Sequence, residues 1–597
     1  MIKSLLTLAL ACFTLLCHAQ PYTDYIGAGH TRNITVSSSS AHSKNYFSKS
    51  AIPQNTINGQ GLDGKKVEAS RFLNMATFGG NQVEIEQLAT STPEAWIDSQ
   101  IVLPKSAYLA LTDSLAQVLY DFYLAQGEDP ENISPNPGWQ HLRYAWWNNA
   151  VYGKDQLRQR MAFALSQILV ISDDADIGGH ARGMASYYDM LTNHAFGNYR
   201  DLLKDMALHP CMGSYLSHLN NPREIPEENI HPDQNFAREI MQLFTIGLYE
   251  LNEDGSRRKD SLGNDIPTYN NTHIAELAKV FTGLGIGASL EGMDDPFFGQ
   301  GLYGSDLTVP MIMYEEWHQP GEKAIVGDYV IPGGQTGMQD IDDAIQILFD
   351  HPNTAPFVVR QLIQRLVTSN PSRDYIYRVV QVWNNDGKGV KGNLAAVVKA
   401  ILLDPEARAC DGLTDPEFGK MMEPVLRLTH LYRAIGVEVP SGYFLNHGYD
   451  IENYLLQHPL SSPSVFNFYL PDHQPTGPLH DSNLNAPEFQ LLNTLTALEY
   501  PNIVFGWTYY ENAVNNWENG NFYSPTNASA FFEKAHGDED LINQVDLLLT
   551  NGTMSAETRQ TIKEAIKEFI PTLWGAREKI NMVLYLTFIS PDYMIKK

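Results

Sequence analysis

"PDQNFAREIMQLFTIGLYELNEDG", residues 232–255, is apolar almost all the way round when wound as a helix. Asp233 after Pro232 suits an N-cap, and Gly247 suits a C-terminal stop. At about 100° per residue, Asn235, Arg238, Glu239 and Gln242 fall within one sector of ~100°. Phe236, Ala237, Ile240, Met241, Leu243, Phe244 and Leu248 take the rest. An apolar face that wide has to be covered on several sides, which calls for other helices around it. The polar stripe then faces water, a cleft, or buried partners that satisfy it.

Helical spacing recurs along the chain. It is clearest in "DQLRQRMAFALSQILVIS", "ARGMASYYDMLTNHAFGNYRDLLKDMAL", "DIDDAIQILFDH", "APFVVRQLIQRLVTS", "NLAAVVKAILLDPEAR", "KMMEPVLRLTHLYRAIG", "EDLINQVDLLLTNG" and "AETRQTIKEAIKEFI". Ser70 is read as the cap of a first short helix that Gly79 and Gly80 end. Strand signals are few: "EKAIVGDYVIP" suits one hairpin strand, and residues 251–269 a turn-rich excursion around Gly255 and Gly263. No repeat and no long Pro/Ser linker divides the chain after residue 65. The expected fold is mainly α, one large helical domain over residues 66–597 with long loops and at most a few short β-hairpins.

The N-terminus has the layout of a cleavable secretory signal. "MIKSLLTLALACFTLLCHAQ" sets Lys3 before an apolar run from Leu5 to Cys17, with cleavage expected after Ala19. The run is shorter than the ~20 residues a membrane span needs, and no later stretch supplies one. Residues 1–19 are thus expected to be a signal peptide, and residues 20–65, rich in Ser, Asn and Gly, a poorly ordered leader. The mature chain is expected to be exported to the periplasm or beyond, with no membrane span. Its 597-residue precursor carries 69 acids against 41 bases, a net charge of −28. That balance argues against nucleic acid as a partner, because phosphate backbones demand a basic surface. After the signal two cysteines remain, Cys211 and Cys410, which either pair as a disulfide or stay buried thiols.

The familiar catalytic motifs are missing: there is no H-E-x-x-H, G-x-S-x-G, phosphate loop or dinucleotide fingerprint. Candidates for chemistry are therefore the stripe and several histidines. His194 shares a helical face with Tyr187, Leu191 and Asn198, and His209 opens "HPCMGSYL". His318 precedes Glu322 and Lys323, and His351 starts "HPNTAPF". Each alone is more often a capping or core histidine than a ligand. Together with Glu239 they also offer an acid/base pair or a metal site, with His194, His209 and Glu239 as ligands, which leaves a divalent metal ion open as cofactor. The acidic stretches "SDDADIGG" and "EGMDDP" suit calcium or plain turns. "WTYYENAVNNWENGNFYSP" (507–525) interleaves aromatics with Asn, suited to stacking on sugars or to packing back on the core.

Several of these stretches resemble one known family. They are "RFLNMATFG", "LRQRMAFALSQILVIS", "YYDMLTNHAFGNYRDLL", "LHPCMGSYL", the opening stretch, "TYNNTHIAELAKVFTG", "HQPGEKAIVG", "HPNTAPFVVRQLIQRLVTSNPS", "AILLDPEAR", "SSPSVFNFYLPDHQP" and "APEFQLL". In this order they resemble the secreted bacterial family catalogued as domain of unknown function 1800, from about residue 66 to "SPDYMIKK". The resemblance implies export. It also implies genes beside those of a second secreted family that looks like sulfatases or phosphatases, but no mechanism. Asn235, Arg238, Glu239, His194, Asn198, His209, His318, Lys323 and Asn467 match the family pattern. Gln234 departs from it, standing where the pattern usually has an acid.

Two functions fit the sequence. One is an exported enzyme acting on an extracellular polymer, such as a polysaccharide, or on its modifying groups. Glu239 would be base or metal ligand, Arg238 an anion holder, and His194 or His318 the completing group, with Asn235, Gln242, Asn198 and Lys323 binding. The other is a non-catalytic scaffold or binding partner in a cell-envelope assembly, for example beside a sulfatase-like protein. There Arg238 and Glu239 would form a buried pair fixing helix packing.

Overall fold

The computed structural model describes residues 62–597 apart from 289–296, 299–301, 410–414, 416, 511–525, 529–531, 533–536 and 570–572. The expected signal peptide, nearly all of the expected leader, Cys410, the "EGMDDP" stretch and the aromatic–Asn stretch beyond Tyr510 lie outside the described residues.

Helices dominate, as their apolar spacing dictates, and the described residues share one contiguous hydrophobic core. The helices that position the site are α1 (Gly64–Ala76), α2 (Trp139–Tyr152), α3 (Gln156–Ser166), α4 (Pro210–Tyr215), α5 (Asn235–Glu239), α6 (Asn271–Val280), α7 (Gly337–Asp350), α8 (Thr354–Leu366), α9 (Pro424–Ile435) and α10 (Tyr449–Leu455). Among the described residues three two-stranded antiparallel sheets decorate them: β1 (Leu284–Gly285) with β2 (Ile312–Met313), β3 (Lys323–Ala324) with β4 (Val330–Ile331), and β5 (Lys420–Met421) with β6 (Ile595–Lys596). "EKAIVGDYVIP", expected to make one hairpin strand, holds both strands of the second of these, in register Lys323 with Ile331. Among the described residues no helix is long and apolar enough to cross a membrane.

Local chemistry moved two boundaries. Helix α1 starts at Gly64, capped by the Asp63 carboxylate, which accepts the Lys65 N–H at 2.8 Å. Ser70 lies inside that helix, and its hydroxyl donates to the Leu547 carbonyl at 2.6 Å instead of capping anything. Residues 181–208, continuous in apolar spacing, form two helices, Ala181–His194 and Tyr199–Ala207. The break falls where Asn198 caps the second, its Oδ1 accepting the Arg200 N–H at 3.0 Å.

Helix α8 shows why a buried helix needs more than apolar residues. Val358, Val359, Leu362, Ile363 and Leu366 have no exposed surface, so its last carbonyls have no water to turn to. Cations satisfy them. Lys420 Nζ donates to the Gln364 and Arg365 carbonyls at 2.9 and 3.0 Å, and Arg160 Nη2 donates to Arg365 at 2.6 Å. Lys596 Nζ donates to Leu366 at 3.2 Å and to Asn74 of α1 at 2.7 Å. Carboxylates balance part of this charge: Glu488 lies 2.9 Å from Lys420, both about 1% exposed, and Glu423 is fully buried. Glu423 Oε2 accepts from Gln167, Gln457 and the Tyr469 hydroxyl. Burial pushes the Lys420 and Lys596 ammonium groups below their usual range.

Removing one member strands the others. Glu488→Ala is expected to cost about 3–5 kcal/mol, and adding Lys420→Met to it should cost less than Lys420→Met alone. Urea melts of the two single variants and the double check this; simply additive costs would contradict it.

Candidate functional site

The opening stretch is not one regular helix. Before it, Asn221 clamps Asp233, its Oδ1 accepting the Asp233 N–H at 2.8 Å and its Nδ2 donating to the Asp233 carbonyl at 3.3 Å. Asp233 Oδ1 accepts the Asn235 N–H at 2.8 Å, which starts α5. Directly after Glu239 the backbone widens into a π-helix over Ile240–Thr245. The Ile246 N–H reaches back to Met241 at 2.9 Å, the Thr245 hydroxyl donates to Ile240, and Tyr199 caps the Phe244 carbonyl at 2.7 Å. Such wide turns recur at functional sites because they re-aim side chains. The exit is fixed by Gly247, at φ +67°, where any Cβ would sit 2.7 Å from the Phe357 ring. Asn353, at the head of α8, holds the same exit by donating to the Ile246 and Tyr249 carbonyls at 2.9 and 2.7 Å.

The polar stripe runs from surface to interior. Gln234 is exposed, Asn235 and Arg238 are half-buried, Gln242 is 5% exposed and Glu239 is 0% exposed. Gln242 Oε1 accepts from the Tyr269 hydroxyl at 3.1 Å. Glu239 has no such partner: both carboxyl oxygens are buried without a hydrogen bond among the described residues. Arg238, the adjacent residue, forms no ion pair with it. Desolvation raises the Glu239 carboxyl from 4.5 to about 7, against the opposing pull of the Arg238 charge. Two phenols share this environment. Burial raises both Tyr215, to about 12, and Tyr269, and the Glu239 charge adds to each. Tyr215, at the end of α4, also lies beside Asp174 and Ser462, from two loops that the Ser172 hydroxyl ties together by donating to the Ser462 carbonyl at 2.6 Å.

The remaining candidates have other partners. His194 pairs with Asp205, Nε2 to Oδ2 2.7 Å, and Asn198 caps its helix while donating to the Lys391 carbonyl at 2.7 Å. His209 is the N-cap of α4, its Nδ1 accepting the Cys211 N–H at 3.2 Å, and its ring meets Tyr187 edge-on. Burial drives His209 down to about 3, so it stays neutral, although the Asp205 charge opposes this. His318 sits in a buried network: Nδ1 lies 2.9 Å from the Thr282 carbonyl and Nε2 3.0 Å from Asp340 Oδ2, an oxygen Lys323 also holds. Burial pushes the Asp340 carboxyl up, but the hydrogen bonds from His318 and Lys323 outweigh it and hold it below the usual range. This network fastens the β3–β4 hairpin to α7. His351 Nδ1 accepts the Asn353 N–H at 3.2 Å. Cys211 is buried as a free thiol. Among the described residues no group of three or more His, Cys, Asp or Glu side chains is placed to hold a metal ion. In "SDDADIGG", Asp173 pairs with Arg143 at 3.0 Å.

Sequence reasoning singled out neither Tyr215 nor Tyr269, which come from helices or loops 24 residues upstream and 30 downstream of Glu239. Tyr269 is the second residue of "TYNNTHIAELAKVFTG", so its motif was visible although its role was not.

With this geometry in hand, comparison with known proteins gives a plain result. The chain matches the family model described as "Protein of unknown function (DUF1800)" over residues 71–595, and it belongs to that family. No curated protein and no solved structure gives a significant match.

The unpartnered carboxyl carries a pH signature. Because its folded-state pKa is raised, the folded state binds the extra proton between about pH 4.5 and about 7. Stability is therefore full below about 4.5 and declines as pH rises through about 7. Glu239→Gln removes that decline. The variant should match the wild type near pH 4 and exceed it by up to about 3 kcal/mol near pH 8, read from denaturant melts at both. A variant less stable at both values would mean that Glu239 has a partner.

Proposed function

We propose that the protein is an exported enzyme acting on an extracellular polymer or its modifying groups, with Glu239 transferring the proton. The observation that carries this is the fully buried Glu239 carboxyl, unpartnered and held at about 7. A carboxyl poised there is populated in both forms near neutral pH, which is what a general acid or base needs. Leaving it unpaired is destabilising, and proteins retain such arrangements chiefly where they serve activity. Arg238 is half-buried and makes no ion pair or side-chain hydrogen bond among the described residues, so its guanidinium remains available to hold an anionic group or a developing oxyanion. The Tyr215 phenol, raised to about 12, keeps its proton and serves as a donor. Export rests on the N-terminal signal layout. The scaffold alternative read Arg238 and Glu239 as a buried pair, and no ion pair joins them.

The direct test is turnover on soluble polysaccharides and their acetylated and sulfated derivatives, followed by reducing ends and released acid. Wild type should be active on at least one, and Glu239→Gln should lose about 10²-fold or more while remaining folded. Wild-type turnover in the variant, or no turnover by wild type on any of them, would contradict the proposal.

A further inference from the structure

A second feature adjoins the loops that touch Tyr215. Residues 172–174 and 460–462 are bound together, the Asp173 N–H donating to the Leu460 carbonyl at 2.8 Å. Asp174 and Ser462 of this pair lie beside Tyr215, and Asp173 and Leu460 line a pocket with Trp139, Arg143, Trp146 and His458. At its rim is a row of aromatic rings that the fold assembles from distant segments. Trp139, at the start of α2, lies 6.3 Å from His447, which lies 6.0 Å from Tyr449 of α10, which lies 6.3 Å from Tyr454. Trp139 is 49% exposed, Tyr449 53% and Tyr454 39%.

The Trp139 indole is held in advance. The Arg143 guanidinium stacks over its ring at 4.7 Å. Arg143 is in turn gripped by both Glu452 oxygens and by Asp173 at 3.0 Å, with Ser461 at 3.2 Å. A tryptophan with its orientation set by a salt-bridged arginine is a rigid platform, because it loses little freedom when a ligand covers it. Three half-exposed aromatic rings in a row are not needed by the core, which is complete behind them at Trp146 and Trp147. Apolar patches of this kind mark binding surfaces.

Charge selects the occupant. Arg143 is the one cation facing this rim among the described residues of α2 and α10, against Asp173, Asp450 and Glu452. The local excess is acidic, as is the whole chain at −28, so an anionic polymer is repelled. A neutral sugar ring fits: its C–H face stacks on an indole or phenol, and its hydroxyls both donate to the carboxylates and accept from the tyrosine hydroxyls.

We propose that the Trp139–Tyr449–Tyr454 row is a glycan-binding platform that holds neutral pyranose rings of the polymer next to the Glu239 site. It rests on the polymer-acting reading above and assigns the polymer's chemical class. The test is native affinity electrophoresis of the full chain in gels containing hydroxyethyl cellulose or glucomannan as neutral polymers, or alginate as an anionic one. Wild type should be retarded by a neutral polymer and not by alginate. Trp139→Ala and Tyr449→Ala should each weaken retardation at least about tenfold with unchanged thermal midpoints, and Glu239→Gln should be retarded like wild type. Equal mobility of wild type and both aromatic variants in every gel, or retardation by alginate alone, would overturn the platform. The two proposals fail separately. An unretarded protein whose turnover still needs Glu239 sinks the platform, and a retarded Glu239→Gln with full turnover sinks the catalytic reading.

Discussion

Three carbonyls at the end of α8 set the terms for much of this structure. Gln364, Arg365 and Leu366 end a helix with no water around it, and they take hydrogen bonds from Arg160, Lys420 and Lys596. A helix C-terminus carries partial negative charge, so buried cations belong there. Buried cations are costly in their own right unless carboxylates accompany them. Glu488 and Glu423 do so, and they bring their own segments along. Arg160 comes from α3, Lys420 from β5, Glu423 from the head of α9, Glu488 from the turn over residues 487–491, and Lys596 from β6. One electrostatic requirement thus gathers segments separated by more than 400 residues of chain.

The same helix connects this knot to the site. Its other end is headed by Asn353, which holds the exit of the π-helix, and Phe357 packs on Gly247 at that exit. Helix α8, about 20 Å long, therefore braces the Glu239 turn at one end and the ionic cluster at the other. Tyr469 extends the coupling. Its hydroxyl donates to Glu423 and its ring lies under Arg365, so it anchors the segment whose upstream part, near Ser462, adjoins Tyr215. Such bracing is what a strained, unpartnered carboxyl requires to stay in place.

The fold class was legible because helical spacing is a local property: each stretch read as helical contains a helix, although residues 167–172 leave theirs and Lys420–Met421 pair as β5. The break at Asn198 and the cap at Asp63 were harder, since an internal Asn or an upstream Asp competes with spacing only through a specific hydrogen bond. The π-helix was invisible: its residues, Ile240–Thr245, carry no signature distinguishing an i−5 ladder from an i−4 one. Glu239 was identifiable as part of a stripe, but its isolation was not. That depends on which groups the tertiary fold withholds from it. The stripe proved to run from half-buried Asn235 and Arg238 to buried Glu239, and Lys323 and His318, candidates by motif, form a separate network with Asp340. Many of the family's long motifs converge on the ionic knot instead, with Arg160, Arg365, Tyr469 and Glu488 drawn from four of them.

The account stands or falls on one carboxyl. Its isolation explains a proton affinity near neutrality, the destabilising cost the fold bears, and the place assigned to chemistry. The most direct measurement is an isotope-edited infrared titration of the carboxyl band, taken as the difference between wild type and Glu239→Gln. The account predicts a single group titrating at about 7. A midpoint near the ordinary 4.5 would show a solvated or paired Glu239, and would contradict it.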